Sequence, residues 1–310
     1  MKSRLRGVIP ATYTPLGPQG EVDLDAIRPM VERLLDDGVD GLYVCGSTGE
    51  GVSLAMGERK AVAEAFITAV NGRVPVIVHV GHNSLVEACE LADHAAASGA
   101  SATSAMPPTY FRISHARTVV DCCAEMASAA AAIPFYYYHI PAMTGVTIDV
   151  VLLLKEVGDR IPNFAGVKYT ANTIHEYQEC LAFKGGRFDM LFGYDELLLP
   201  ALAVGARGAV GSTFNIAAPL YRRIIAAFDA GNLAQAREEQ LRAIQMIRVL
   251  MQRPFHPAMK AVMEMLDTPC GSCRLPLPKL SDSEKRGLRD ELQQIGFFTW
   301  ARPEPELARQ

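Results

Sequence analysis

Residues 76–106 read VIVHVGHNSLVEACELADHAAASGASATSAM. A short apolar run, VIVHVG (76–81), opens the stretch and a second, SATSAM (101–106), closes it. Between them apolar residues recur at three- and four-residue spacing until Gly99, where a helix should stop. Strand, helix and strand in this order form a βαβ unit, whose two strands lie parallel. What decides the fold is how often the unit recurs.

It recurs along most of the chain. GVIPAT (7–12), GLYVCG (41–46), FYYYHI (135–140), FAGVKY (164–169), DMLFGY (189–194) and RGAVGS (207–212) are further candidate strands. Helical patterns such as LDAIRPMVERLLDDG and ERKAVAEAFITAVNG separate them, and Gly38, Gly72 and Gly205 fall at helix ends as Gly99 does. Eight near-continuous apolar strands with right-handed crossovers predict an α/β fold, the (β/α)8 TIM barrel. An open doubly wound sheet is the alternative, but its dinucleotide fingerprint is missing. After the eighth strand the pattern is purely helical, at roughly 220–252, 256–267 and 282–295. The sequence thus predicts a barrel over 1–220, a C-terminal helical layer packed on it over 221–298, and a frayed tail over 299–310.

Composition narrows the function classes. With a net charge of -4 and a pI near 6.0, the chain shows no basic surface for nucleic acid or anionic lipid. Its basic residues are scattered singly along amphipathic stretches and read as solvated helix faces. The N-terminal apolar run is cut by Pro10 before a signal core forms, and no stretch approaches a membrane span, so a cytoplasmic location is expected. Seven cysteines, an odd number that includes the adjacent Cys122 and Cys123, fit a reduced interior. Cys270 and Cys273 form one C-x-x-C with no second Cys or His pair nearby, so no metal is expected and their role is open.

In such a barrel, chemistry sits at the C-terminal ends of the strands. The second strand ends in CGSTGEG, where glycines allow a tight turn and Ser47 and Thr48 add hydroxyls. This is either an anion cradle suited to a carboxylate or simply a turn. The chain has eight lysines, and Lys168 alone sits inside an apolar strand run. Facing inward, its amine would lose proton affinity and could attack a carbonyl; the alternative is a lysine salt-bridged to a neighbouring strand. On the adjacent fifth strand, parity puts Tyr136 and Tyr138 on one face and Tyr137 on the other. Tyr138 should stand at the rim beside Lys168, able to shuttle a proton if the site lowers its pKa. Tyr136 should fill the barrel beneath it. His79, His82 and His139 read as strand or rim histidines.

A GSTGE turn, a tyrosine strand ending in Y-x-I-P and a strand lysine in G-x-K-x-T together resemble the pyruvate-dependent class I aldolases of the dihydrodipicolinate synthase / N-acetylneuraminate lyase family. The similarity runs from about Leu5 to Phe298. It implies Lys168 as Schiff-base lysine, Tyr138 as catalytic tyrosine, and Ser47 and Thr48 as the carboxylate-binding pair. It further implies that Tyr110, in MPPTYF, reaches into a neighbouring subunit's site of a homotetramer. No cofactor beyond the covalent imine with Lys168 is implied. Synthases of the family carry an arginine where this chain has Met143, which cannot make a bidentate carboxylate contact. FYYYHIPAMTGV, FGYDE and GAVGSTFN instead look like the N-acetylneuraminate lyase branch, whose sugar tail would be held by Gly193, Asp195, Glu196 and Ser212, with Thr170 binding substrate beside the lysine. Asp195 and Glu196 could also be no more than a helix N-terminal turn. The implied activity is reversible cleavage of N-acetylneuraminate to N-acetylmannosamine and pyruvate. The alternatives are an aldolase or dehydratase of another 2-keto-3-deoxy sugar acid, dihydrodipicolinate synthesis, and a non-catalytic sugar-acid sensor.

Overall fold

The computed structural model describes residues 4–301 of the chain. Its eight strands are β1 (Gly7–Pro10), β2 (Leu42–Val44), β3 (Val76–His79), β4 (Ala102–Ala105), β5 (Phe135–His139), β6 (Phe164–Tyr169), β7 (Asp189–Phe192) and β8 (Gly208–Gly211). From β2 to β8 each pairs in parallel with the next, and β8 pairs with β1. Ala11 bridges to Tyr43, and Thr12 N donates to Tyr43 O at 3.0 Å, which brings β2 back to β1 and closes the (β/α)8 barrel. All eight predicted strands are found, and Gly38, Gly72, Gly99 and Gly205 all have positive φ at helix ends.

Helices cover the outside. They are α1 (Ile27–Asp36), α2 (Met56–Val70), α3 (Leu85–Ala97), α4 (Ala116–Ala129), the single turn α5 (Pro141–Thr144), α6 (Val150–Val157), α7 (Ile174–Ala182) and α8 (Leu198–Ala203). After β8 come α9 (Phe214–Asp229), α10 (Leu233–Leu250), α11 (Phe255–Met265), α12 (Asp282–Gln294) and α13 (Phe297–Trp300). The helix expected over 220–252 is two helices. Gly231, at φ +73°, ends α9, and the Asn232 side chain caps α10 by accepting from Gln235 N at 3.1 Å. Position 220 lies within α9. Trp300 is helical and Ala301 is buried, so the tail expected from 299 is ordered up to 301; residues 302–310 lie outside the described residues.

Strand alternation sorts side chains into two cores. Ile9, Ala11, Tyr43, Ile77, Tyr136, Tyr138, Leu191 and Val210 cluster inside the barrel, while Tyr137 joins the layer between strands and helices. Lys168 is aimed inward by a bulge. Phe135 pairs with Phe164 but Tyr136 pairs with Gly166, so Ala165 is the extra residue and shifts the parity of the rest of β6. Gly166 is needed there, because a Cβ would stand 1.7 Å from Asp189 O. Below the site, Tyr136 Oη donates to Asp189 Oδ2 at 2.9 Å and closes the barrel floor.

Two basic residues read from the sequence as solvated are buried instead. Arg59 on α2 is 2% exposed and donates to Gly81 O at 3.0 Å and His79 O at 2.7 Å. Lys260 on α11 is 3% exposed and pairs with Glu50 at 2.8 Å. Both lie on helix faces turned toward barrel loops, and carbonyl oxygens accept from the Arg59 Nη atoms and from Lys260 Nζ where water cannot.

Candidate active site

Lys168 and Tyr138 are paired in register across β5 and β6 at the C-terminal end of the barrel. The Lys168 Nζ lies 3.7 Å from the Tyr43 ring centroid and 4.0 Å from that of Tyr138. Among the described residues no carboxylate is within ion-pair distance of it, so it is not a salt-bridged structural lysine. Burial dominates its electrostatics and drives the amine from an ordinary 10.5 down to about 7, against the opposing pull of Asp195. Near neutral pH about half of such an amine is uncharged.

Tyr138 departs from expectation. Burial pushes its phenol up to about 12, Ser47 and Thr170 pull it down, and Asp195 pushes it further up. The resting site therefore does not lower this pKa. Thr170 Oγ1 is otherwise without a hydrogen-bond partner of normal geometry.

A cavity of about 300 Å³ opens above the pair. Ser47, Thr48, Thr170, Gly193, Asp195, Glu196 and Ser212 all line it with Lys168 and Tyr138. Thr48 Oγ1 and Ser212 Oγ are 2.7 Å apart, which links the β2 turn to β8. That turn is rigid: Cys45 and Glu50 have positive φ, and a Cβ on Gly51 would meet Cys45 O at 1.9 Å. The Glu50 carboxylate pairs with Lys260 and accepts from Arg274 N at 2.8 Å. Asp195 accepts from Thr213 N at 2.9 Å and Thr213 Oγ1 at 2.6 Å, and burial raises its pKa to about 6.

Tyr110 is not brought to this cavity. It is 82% exposed, its ring set edge-on to Phe111 at 5.2 Å. His79 is buried beneath the site, with ring contacts to Tyr43 and Tyr138. His139 stacks on Tyr169 at 5.2 Å, and His82 pairs with Glu87 at 2.8 Å. Cys270 and Cys273 are buried free thiols, both pushed up to about 12 by burial. Among the described residues no group of three or more His, Cys, Asp or Glu is placed to hold a metal ion, and no helix is long and apolar enough to cross a membrane.

Sequence reasoning missed several lining or supporting residues. Tyr43 was legible from parity, since Leu42 and Val44 face outward. Thr213 directly follows Ser212. Ile247, Met251, Phe255 and His256 enter the cavity from the C-terminal helices, and no local pattern marks which turns reach it.

Comparison with known proteins agrees with this geometry. The model of the dihydrodipicolinate synthetase family matches residues 4–295. The N-acetylneuraminate lyase of Rattus norvegicus is 36% identical, with 96% of this chain and 95% of that protein covered. That of Gallus gallus is 39% identical over 95% and 97%. The solved N-acetylneuraminate lyase of Proteus mirabilis superposes with a TM-score of 0.92 at 37% identity, covering 95% of this chain and all of that one. The chain belongs to the dihydrodipicolinate synthetase family.

Proposed function

We propose that this chain is a carbon–carbon lyase that cleaves N-acetylneuraminate to N-acetylmannosamine and pyruvate through an imine on Lys168. The observation that carries the reading is a buried amine brought to about 7 beside Tyr138, in a cavity walled by Asp195, Glu196 and Ser212. The similarity to named lyases at 36–39% identity over nearly the whole chain supports the substrate.

The neutral Lys168 amine attacks C2 of the open-chain keto acid and releases water, leaving a protonated imine. Ser47 and Thr48 hold the carboxylate and fix C2 against the amine. Tyr138 as phenolate takes the proton of the C4 hydroxyl. The C3–C4 bonding pair flows into the imine, and the amino sugar leaves as an aldehyde. The enamine is then protonated at C3, and water frees pyruvate and the amine. A phenol near 12 is a poor base in the resting site, but the iminium cation forms close by and favours its anion. Asp195 and Glu196 accept from sugar hydroxyls, while Thr170, Ser212 and the Gly193 backbone line the same wall.

Tyr110 and Phe111, 82% and 81% exposed, fit burial against a second copy, with Tyr110 completing a neighbour's proton relay in a homotetramer. A cytoplasmic setting suits the free thiols. Met143, 66% exposed at the cavity mouth, offers no charge for a second carboxylate and argues against dihydrodipicolinate synthesis.

Incubation with pyruvate and borohydride, followed by peptide mapping, should place one adduct on Lys168. Turnover should favour N-acetylneuraminate over 2-keto-3-deoxygluconate. An adduct on another lysine ends the site assignment, and a strong preference for the shorter acid ends the substrate assignment.

A further inference from the structure

α10, the Met251 cap that follows it and α11 contribute four side chains to the cavity wall: Ile247, Met251, Phe255 and His256. Three are apolar, and His256 alone can donate a hydrogen bond. Its ring is fixed. Tyr13 Oη lies 3.2 Å from His256 Nδ1, and the two rings meet edge to face at 5.9 Å. Phe255 packs its ring 5.5 Å from the imidazole. Tyr13 is fully buried, and burial pushes its phenol further above its ordinary range, so the hydroxyl keeps its proton. Among the described residues His256 Nδ1 is the only hydrogen-bond partner of that hydroxyl, so the phenol donates and Nδ1 accepts. A neutral imidazole that accepts at Nδ1 carries its own proton on Nε2. The ring, which lines the cavity, therefore carries one N–H among side chains from these helices that are otherwise apolar.

We infer that His256 is a specificity-determining residue that reads the acyl group of an N-acylated sugar acid, its Nε2–H donating to the amide carbonyl oxygen while Ile247, Met251 and Phe255 receive the methyl. This deepens the lyase reading and rests on it. The match is chemical. An acetamido group couples one strong acceptor to one small apolar end, and this wall couples one donor to three apolar side chains. A hydroxyl in place of the acetamido group would leave the apolar part of the wall facing a polar atom.

The test compares two substrates in two proteins. Wild type and His256→Phe are assayed for cleavage of N-acetylneuraminate and of its analogue with a hydroxyl replacing the acetamido group, alongside pyruvate–borohydride trapping as a check on the fold and on Lys168. Wild type should favour the acylated substrate in kcat/KM, and His256→Phe should lower that preference about fivefold, the value of one neutral hydrogen bond. The loss should fall on KM. His256→Gln, which keeps an N–H donor, should restore part of the preference, and Tyr13→Phe, which frees the tautomer, should lower it by a smaller factor. Cleavage of both substrates with a ratio unchanged in His256→Phe overturns this inference and leaves the lyase reading standing. A wild type that forms the pyruvate imine yet cleaves neither substrate overturns both. Abolished trapping in His256→Phe with trapping intact in wild type places the residue in the fold instead and also overturns the inference.

Discussion

Replacing Lys168 with methionine should abolish activity and make the protein more stable, with a pH dependence that follows from the buried amine. The side chain is 3% exposed, and burial brings its pKa from 10.5 to about 7. At 1.36 kcal/mol per pH unit, that separation amounts to about 5 kcal/mol. Its sign follows from proton binding. Between pH 7 and 10.5 the unfolded lysine holds a proton that the folded one does not, so native stability rises with pH across that window. The destabilisation is full below pH 7 and gone above 10.5. Lys168→Met removes it while nearly keeping side-chain volume. The variant should gain about 5 kcal/mol at pH 6, about 3 at pH 8 and under about 1 at pH 10. For a chain of 310 residues the gain at pH 8 corresponds to a rise in Tm of about 5 °C. Equilibrium unfolding in urea at the three pH values, wild type against variant, measures the difference, because groups remote from Lys168 titrate alike in both and cancel; its charge acts on Asp195 and His79 alongside its own titration. A gain independent of pH, or a variant less stable at pH 6, would refute the claim that this amine is held against its charge.

Three further outcomes are expected. Tyr138→Phe should lower kcat by about 10²–10⁴ while pyruvate trapping on Lys168 persists; lost trapping would move Tyr138 to the imine-forming step. Asp195→Asn removes the carboxylate that raises the Lys168 pKa, so the acid limb of the pH–rate profile for pyruvate trapping should move below pH 7, and a shift the other way contradicts the electrostatics. Lys260→Met leaves the Glu50 carboxylate buried without its cation and should destabilise by about 3–5 kcal/mol, and adding Glu50→Gln should recover most of it in the same denaturation assay.

The barrel was legible because its signals are local and repeat: apolar runs, helical periodicity and glycines where helices stop. The inward pair was legible through strand parity, although the parity of β6 rests on the bulge at Ala165, which no residue type announces. Lys168 stood out because an isolated lysine in an apolar strand is unusual. Lys260 did not, since an amphipathic helix carries lysines as a rule, and only tertiary packing reveals that this one faces a buried glutamate. Electrostatics were the least legible. That the phenol of Tyr138 is raised depends on how completely the site is buried, a property of the whole assembly of loops.

The C-terminal helices matter to the site for the same reason. Three contacts tie them to the barrel mouth: Lys260 to Glu50 in the β2 turn, Gln240 Nε2 to the carbonyls of Asp195 and Glu196, and His256 to Tyr13 at the end of β1. None is a strong source of net stability. A buried ion pair roughly offsets its own desolvation, and a neutral hydrogen bond contributes about 1 kcal/mol. Apolar side chains could cover these loops as tightly, so the polar contacts are better understood as fixing where the loops stand. Ser47 and Thr48 sit on the turn whose Glu50 is clamped by Lys260, and Asp195 and Glu196 on the one clamped by Gln240. A substrate held between those two turns spans the amine at one end and the polar wall at the other. Its C2 then reaches Lys168 only if both turns keep their spacing. On this argument the helices beyond β8 set the geometry of a reaction whose covalent chemistry belongs to the barrel, and the Lys260→Met variant should lose affinity for the keto acid even where enough folded protein remains to measure it.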